Sequence, residues 1–356
     1  MNQESYRRLI SGQSKGIASG ALRLLLGLAS LIYRIIIFVR NYLYSSGRFK
    51  KHRAESVVIS VGNITAGGTG KTPLVIWLCK YLESKKINCA IFSRGYKTDK
   101  GKFSDEPAIL ARSCPDAKII VNCNRVEGAS EAINKFGTKV CVMDDGFQHR
   151  RLCRELDIVT IDAIRPFGFG RMLPAGLLRE SVKSLRRANA VVITRCDQVT
   201  SEKLKKTEEK LLSINPSLVI AKSTHSAVCV KRQSKKEMSI EEAKGRKVFA
   251  FCGIGNPDAF LKTINGLEFD VVGWKIYNDH YRYQAEDIED IYEEARYFHA
   301  DMILSTEKDW NKAILAGADN RDIDFSYLAV ELEFTGGEER ITELIDKVLS
   351  GKIQGL

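Results

Sequence analysis

The chain has 356 residues, 44% of them hydrophobic and 28% charged, with seven prolines, which excludes a disordered or fibrous protein and suits one large α/β domain with a smaller partner. The formal net charge is +11, yet residues 1 to 53 hold ten Lys and Arg against the one acid Glu4, so the remainder is nearly neutral. That distribution argues against a nucleic-acid protein with a basic body and points to a basic amino-terminal device for anionic lipid.

The first predicted element is the apolar stretch Ala21 to Val39, in which Arg23 and Arg34 bracket an uncharged run of only ten residues. A spanning helix wants about 20 apolar residues, so an amphipathic helix on the membrane surface is expected instead. At 100° per residue, Gly27, Ser30, Arg34 and Asn41 fall within roughly 40° of Arg23, a narrow polar stripe whose arginines would face lipid phosphates. The alternative is a core helix of the first domain; flanking Arg48, Lys50, Lys51 and Arg53 favour the membrane.

Short apolar, β-branched runs then recur at Val57–Val61, Cys89–Ser93, Lys118–Val121, Val140–Met143, Asp157–Ile161, Ala190–Thr194 and Leu218–Ala221, separated by helical segments. The alternation predicts a mostly parallel sheet with flanking crossover helices, of the P-loop NTPase type. Between Ser201 and Lys247 the composition shifts to Lys, Glu and Ser, which reads as a linker region. Val248–Phe251, Ala285–His299 and Met302–Ser305 then suggest a second, smaller α/β domain. The expected division is 1–53 (membrane segment), 54–225 (P-loop domain), 226–335 (smaller domain) and 336–356 (carboxy-terminal helix packing back on the first domain).

The first strand runs into Thr65-Ala66-Gly67-Gly68-Thr69-Gly70-Lys71-Thr72-Pro73. Glycines let backbone N–H groups converge on phosphate oxygens at a helix amino terminus, Lys71 would bridge terminal phosphates, and the Thr72 hydroxyl would hold Mg²⁺. The strict G-x-x-x-x-G-K-[ST] pattern fails at Thr65, and a chance glycine turn is the alternative. Val140–Met143 ends in Asp144-Asp145-Gly146, the form of a Walker B strand whose acid approaches the metal, although an apolar run ending in Asp is often just a strand terminus.

Ser60-Val61-Gly62-Asn63, the glycine loop, Ser93-Arg94-Gly95-Tyr96, Asp105-Glu106-Pro107, Asp144-Asp145-Gly146-Phe147-Gln148-His149-Arg150, Leu173-Pro174-Ala175-Gly176-Leu177-Leu178-Arg179-Glu180 and Asp279-His280-Tyr281 together resemble the tetraacyldisaccharide 4'-kinases of lipid A synthesis. The loop's missing first glycine is similar to that family's own loop; Ser104 stands before Asp105 where the family shows glycine. The resemblance implies transfer of the ATP γ-phosphoryl group to the 4'-hydroxyl of a tetraacylated glucosamine disaccharide 1-phosphate. It also implies a monotopic enzyme on the cytoplasmic face of the inner membrane, with two α/β domains joined by a β-ribbon.

A sugar hydroxyl needs a proton acceptor as the P–O bond forms. Asp105 resembles the family's catalytic base and His280, preceded by Asp279, its partner; because these lie in different domains, domain closure would complete the site. A capping turn is the alternative for Asp105-Glu106-Pro107. Thr72 and Asp144 are expected at Mg²⁺, with Glu106 or Asp145 as further candidates. Tyr96, Arg125, Gln148, His149, Arg179 and Glu180 are expected to contact the disaccharide or its phosphate, since guanidinium matches phosphate oxygens bidentately.

The rival class is a membrane-associated GTPase or ATPase switch, because Thr194-Arg195-Cys196-Asp197 is similar to the N/T-K-x-D element that reads guanine. The nine cysteines include no C-x-x-C pair and read as buried thiols of a reduced compartment. No two histidines stand at ligand spacing, so no zinc site is expected.

Overall fold

The computed structural model describes residues 3–93, 105–233, 237–255, 257–279, 281–318 and 322–353. The chain divides into two compact units, one of residues 3–224 together with 332 onward, the other of residues 225–331.

The larger unit opens with α1 (Gln3–Ile10) and α2 (Ile17–Ser45), and continues through β1 (Val57–Asn63), α3 (Lys71–Ser84), β2 (Cys89–Ser93), α4 (Asp105–Ser113), β3 (Lys118–Val121), α5 (Arg125–Phe136), β4 (Val140–Asp144), β5 (Leu156–Asp162), β6 (Ala190–Thr194), α6 (Ser201–Ile214) and β7 (Val219–Arg232). Its strands lie in the order β7-β6-β5-β1-β4-β2-β3, with every pair parallel. Alternate residues of β1 feed opposite cores: Val57, Ile59 and Val61 pack with Leu74 and Leu78 of α3, whereas Val58 packs with Phe92 and Met143. A strand covered on both faces reads as an unbroken apolar run, which is why these strands were visible in the sequence. The order reverses at β1, which sits between β4 and β5, and open α/β sheets place their ligand crevice at such a switch point.

The smaller unit takes in the carboxy-terminal part of β7, then β8 (Glu237–Ser239), α7 (Ile240–Ala243), β9 (Lys247–Cys252), α8 (Pro257–Gly266), β10 (Asp270–Ile276), α9 (Ala285–Tyr297), β11 (Met302–Thr306), α10 (Glu307–Leu315) and most of β12 (Asp324–Gly336). Strands β10, β9, β11 and β12 lie side by side in that order and run parallel. The chain passes between the units twice, along β7 and along β12.

α11 (Glu338–Ile353) completes the larger unit: Ile341, Ile345 and Leu349 enter the core around β1 and α3. Lys352 Nζ lies 2.7 Å from Glu155 Oε1 and donates to the Ser56 carbonyl at 2.8 Å, and Trp77 Nε1 donates to Glu338 at 2.9 Å.

One expectation needs correction. Residues 201–247 are no bare linker: α6 is capped by the Thr200 side chain and buries Thr207 and Leu211, and β7 extends for 14 residues. Lys and Glu on its solvent face outnumber the few residues α6 buries, so composition concealed a one-sided helix.

The polar stripe of α2 is shared between the protein and solvent: Ser30 and Asn41 contact the larger unit, whereas Arg34 is exposed. Ser30 Oγ donates to the Met172 carbonyl at 2.9 Å and Asn41 Nδ2 lies 3.4 Å from Glu180 Oε2; Arg40, outside the stripe, donates to the Gln148 carbonyl. Arg23 folds back onto the Ser14 carbonyl at 2.6 Å. None of the helix's 29 residues is buried. Leu25, Ile32, Ile35, Ile36 and Phe38 are each 58–70% exposed, while Tyr33 and Ile37 pack against the core of the larger unit.

Candidate nucleotide and phosphoryl-transfer site

The glycine loop leaves the carboxyl end of β1, and Gly70, at φ 83°, turns the chain into α3 so that Lys71 and Thr72 open the helix. Gly67 takes φ 114°, a conformation that L side chains rarely adopt. A Cβ added at Gly67 or Gly68 would meet nothing within 4 Å, so this stretch borders open space, as an anion cradle requires. Thr65 and Ala66 are engaged otherwise. Thr65 pairs with Leu178, the Ala66 N–H donates to the Leu177 carbonyl at 2.7 Å, and the Arg179 N–H donates to the Ile64 carbonyl at 2.8 Å.

The segment from Gly168 to Glu180 therefore forms a strap across the base of the loop. Its tight turn demands glycine at 176, where any Cβ would sit 2.2 Å from the Arg171 carbonyl oxygen.

A second set of side chains holds the loop from beneath. Asn63 Nδ2 donates to Thr69 Oγ1 at 3.0 Å, Thr69 Oγ1 shares a hydrogen bond with Thr160 Oγ1 at 2.7 Å, and Thr194 Oγ1 donates to the Thr69 carbonyl at 3.0 Å. Arg195 Nη1 donates to the Gly68 carbonyl at 3.1 Å and to Asp162 Oδ2 at 2.7 Å. Sequence reasoning assigned Gly68 and Thr69 to the nucleotide loop but gave no site role to Asn63, Thr160, Asp162, Thr194 or Arg195. Thr194-Arg195 had been noticed, but as a base-reading element; here both side chains are committed to the backbone of the loop.

Replacing Arg195 with alanine should therefore loosen the loop and strand a mostly buried Asp162, a loss of about 1.5–3 kcal/mol for a hydrogen-bonded charge. The expected result is a lower melting temperature and a KM for nucleotide raised roughly tenfold, read by thermal denaturation with and without Mg-ATP.

Register brings the acids to the loop, since Val61 of β1 pairs with Asp144 of β4. Asp144 is buried, and the equally buried Arg125 donates to its carbonyl oxygen at 3.4 Å and to the Asn122 carbonyl at 3.3 Å. Asp145 takes φ 54°, a costly backbone for a residue with a Cβ. It receives Arg179 Nη1 on both carboxylate oxygens, at 2.8 and 2.9 Å, while Lys71 Nζ lies 3.5 Å from Oδ1. Gln148 Nε2 donates to the Asn63 carbonyl at 2.7 Å, and the His149 N–H to the Gly146 carbonyl at 2.9 Å. Glu180 is fully buried and meets Arg187 at 2.7 Å. The Arg187 guanidinium lies 3.8 Å over the Phe147 ring, and its burial lowers its pKa.

Asp105 and Glu106 open α4, but their side chains, like Tyr96 and His280, lie outside the described part of the structure. Asp279 belongs to the smaller unit, where Lys308 Nζ approaches its Oδ1 at 3.6 Å.

The donors suit Mg²⁺. A hydroxyl from Thr72 and a carboxylate from Asp144 are hard oxygen ligands, and Mg²⁺ in such sites takes one or two protein ligands with substrate phosphates and water completing the shell. Among the described residues no group of three or more His, Cys, Asp or Glu is placed to hold a metal alone.

A central parallel strand leading through this loop into Lys71-Thr72, beside an acid at the end of the next strand, places the molecule among P-loop phosphotransferases. The sequence profile described as tetraacyldisaccharide-1-P 4'-kinase (LpxK) matches residues 22–350. A tetraacyldisaccharide 4'-kinase of Halothermothrix orenii is 33% identical, covering 97% of each chain, and that of Chlorobaculum parvum is 34% identical, covering 95% of this chain and 98% of its own. The crystal structure of LpxK from Aquifex aeolicus in complex with ATP is 30% identical and superposes with a TM-score of 0.71, covering 92% of this chain and 99% of that one. The chain belongs to the tetraacyldisaccharide-1-phosphate 4'-kinase family. It is an ATP-dependent phosphotransferase of lipid A biosynthesis, and the GTPase-switch reading is set aside.

Proposed function

We propose that this chain phosphorylates the 4'-hydroxyl of a tetraacylated glucosamine disaccharide 1-phosphate while lying on the cytoplasmic face of the inner membrane, with α2 immersed among lipid chains. One observation carries the reading. Arg179 joins the two halves of the task, its guanidinium on Asp145 beside Lys71 and its carbonyl accepting the Tyr33 hydroxyl of α2 at 3.0 Å. A nucleotide bound at the loop and a lipid lying along α2 would meet at that residue.

In this reading the amides from Gly67 to Thr72 and the Lys71 ammonium hold the triphosphate. Thr72 and Asp144, with Asp145 or Glu106 as a further candidate, would hold Mg²⁺, which when bound would neutralise phosphate charge. Asp105 accepts the proton of the 4'-hydroxyl, and His280 and Asp279 share in that proton transfer. Arg179, Gln148, His149 and Tyr96 bind the sugar phosphate; Arg125 and Glu180 act by fixing Asp144 and Arg187.

The direct test incubates purified protein with Mg-ATP carrying a labelled γ-phosphate and the acylated disaccharide. Label in the lipid is expected; hydrolysis that leaves the lipid unlabelled would defeat the reading.

The outward apolar face of α2 makes a separate prediction. A charge placed at the depth of lipid chains costs roughly 2.5–3.5 kcal/mol on insertion scales, so the triple variant Leu25→Glu, Ile32→Glu, Ile36→Glu should partition at least about 100-fold more weakly into anionic vesicles. Because these side chains face away from the core, its melting temperature should hold. Undiminished sedimentation with vesicles would exclude α2 as the anchor.

A further inference from the structure

We propose that Lys308 is a positioning residue for phosphoryl transfer, holding the Asp279 carboxylate in the orientation the reaction uses. The proposal rests on the reading above, in which Asp279 and its neighbour serve the proton transfer.

The turn bearing Asp279 is built against the carboxyl end of β9 and the start of α10. The Tyr277 N–H donates to the Cys252 carbonyl at 2.8 Å, and the Tyr281 N–H to the Asn278 carbonyl at 3.0 Å. Tyr277, Tyr281 and Tyr283 pack on one another with ring centroids 4.6–5.3 Å apart, and the Tyr281 hydroxyl donates to Asp287 Oδ1 at 3.0 Å. Gly253, just after β9, lets the turn pack closely, since a Cβ there would lie 3.1 Å from both the Asn278 carbonyl oxygen and the Tyr283 hydroxyl, tighter than ordinary contact.

α10 is locked to the same place by Asp309. This fully buried carboxylate accepts the Gly253 N–H at 2.9 Å and the hydroxyl of Thr306, the helix N-cap, at 2.7 Å. With its backbone fixed, α10 presents Lys308 from its first turn toward Asp279, Nζ to Oδ1 3.6 Å, with side chains only 23% and 11% exposed.

The placement of Lys308 runs against local preference. A cation in the first turn of a helix opposes the macrodipole, and Glu307 and Asp309 on either side are what that position favours. A local rule broken inside an otherwise consistent element is a mark of function, and here the cation faces the one acid of the turn that the reaction is read to need. An ammonium held at that distance restrains the carboxylate without engaging it so tightly that it is withdrawn from chemistry.

The test is a kinetic cycle on the full-length enzyme. Lys308→Met should lower kcat at least about tenfold with the KM for ATP unchanged, and Lys308→Arg should restore it to within about threefold. Added to Asp279→Asn, Lys308→Met should have no further effect, since a residue acting only through Asp279 has nothing left to orient. Wild-type kcat in Lys308→Met, or an equal loss in both backgrounds, would overturn the proposal while leaving the proton-transfer reading intact. Wild-type kcat in Asp279→Asn would instead defeat that reading. Should the methionine variant fail to fold, Lys308→Gln takes its place in the cycle.

Discussion

Lys71→Ala should reduce kcat/KM for ATP by about 10²–10³-fold, the range for removing one preorganised charge from a developing transition state. The loss should appear in both KM and kcat, because an ammonium at the first position of α3 would meet the phosphates in the ground state and more strongly as charge moves onto the leaving oxygen. The fold should survive. Arg179 still grips Asp145 through both carboxylate oxygens, and the Lys71 contact at 3.5 Å is a partly exposed ion pair of small net worth. Arginine at 71 should rescue poorly, since a planar fork cannot occupy the place of a compact point charge. Steady-state kinetics with a parallel melt would decide the matter, and a Lys71→Ala enzyme with unaltered kcat/KM would remove the loop from the chemistry.

Asp105→Asn should act differently. Loss of a general base costs about 10²–10⁴-fold in kcat, and because a residue that takes the acceptor's proton contributes nothing to holding the triphosphate, the KM for ATP should stay where it is. The contrast with Lys71→Ala is the informative part, since it separates a group that grips the nucleotide from one that activates the sugar. A rise in KM without loss of kcat would make Asp105 a nucleotide contact and leave the proton to another residue.

What was legible in the chain follows from what each segment must satisfy. The strands β1, β2, β4, β5 and β6 are covered on both faces, so their burial requires unbroken apolar runs, and those runs stand out by inspection. The glycine loop was equally plain, because only glycine takes the backbone angles at positions 67 and 70.

The supports of the loop were harder to see. Asn63, Thr160, Thr194 and Arg195 come from three strand ends far apart in sequence, and a threonine whose hydroxyl braces a loop looks like one merely closing a strand. The stripe on α2 was legible by its period, but not that Ser30 and Asn41 within it contact the larger unit while Arg34 stays exposed. Polar residues along an apolar helix satisfy lipid phosphates or protein groups equally well, and only the fold supplied the Met172 carbonyl and Glu180. Arg125 and Glu180 belong to the same lesson: a charged residue near a site looks outward-facing until its buried partner is known.

The path of the chain through the larger unit also sets the order in which that unit can be made. Its sheet is laid down before residue 225, yet Leu332, Ile341, Ile345 and Leu349, which close the core over β1 and α3, leave the ribosome only after the whole of residues 225–331 has emerged. At 5–20 residues per second, the nascent kinase would carry an open apolar face for roughly 5–20 seconds. The smaller unit, being continuous in sequence, can mature within that interval, and a message truncated before α11 should yield a product dependent on chaperones rather than a weakened enzyme.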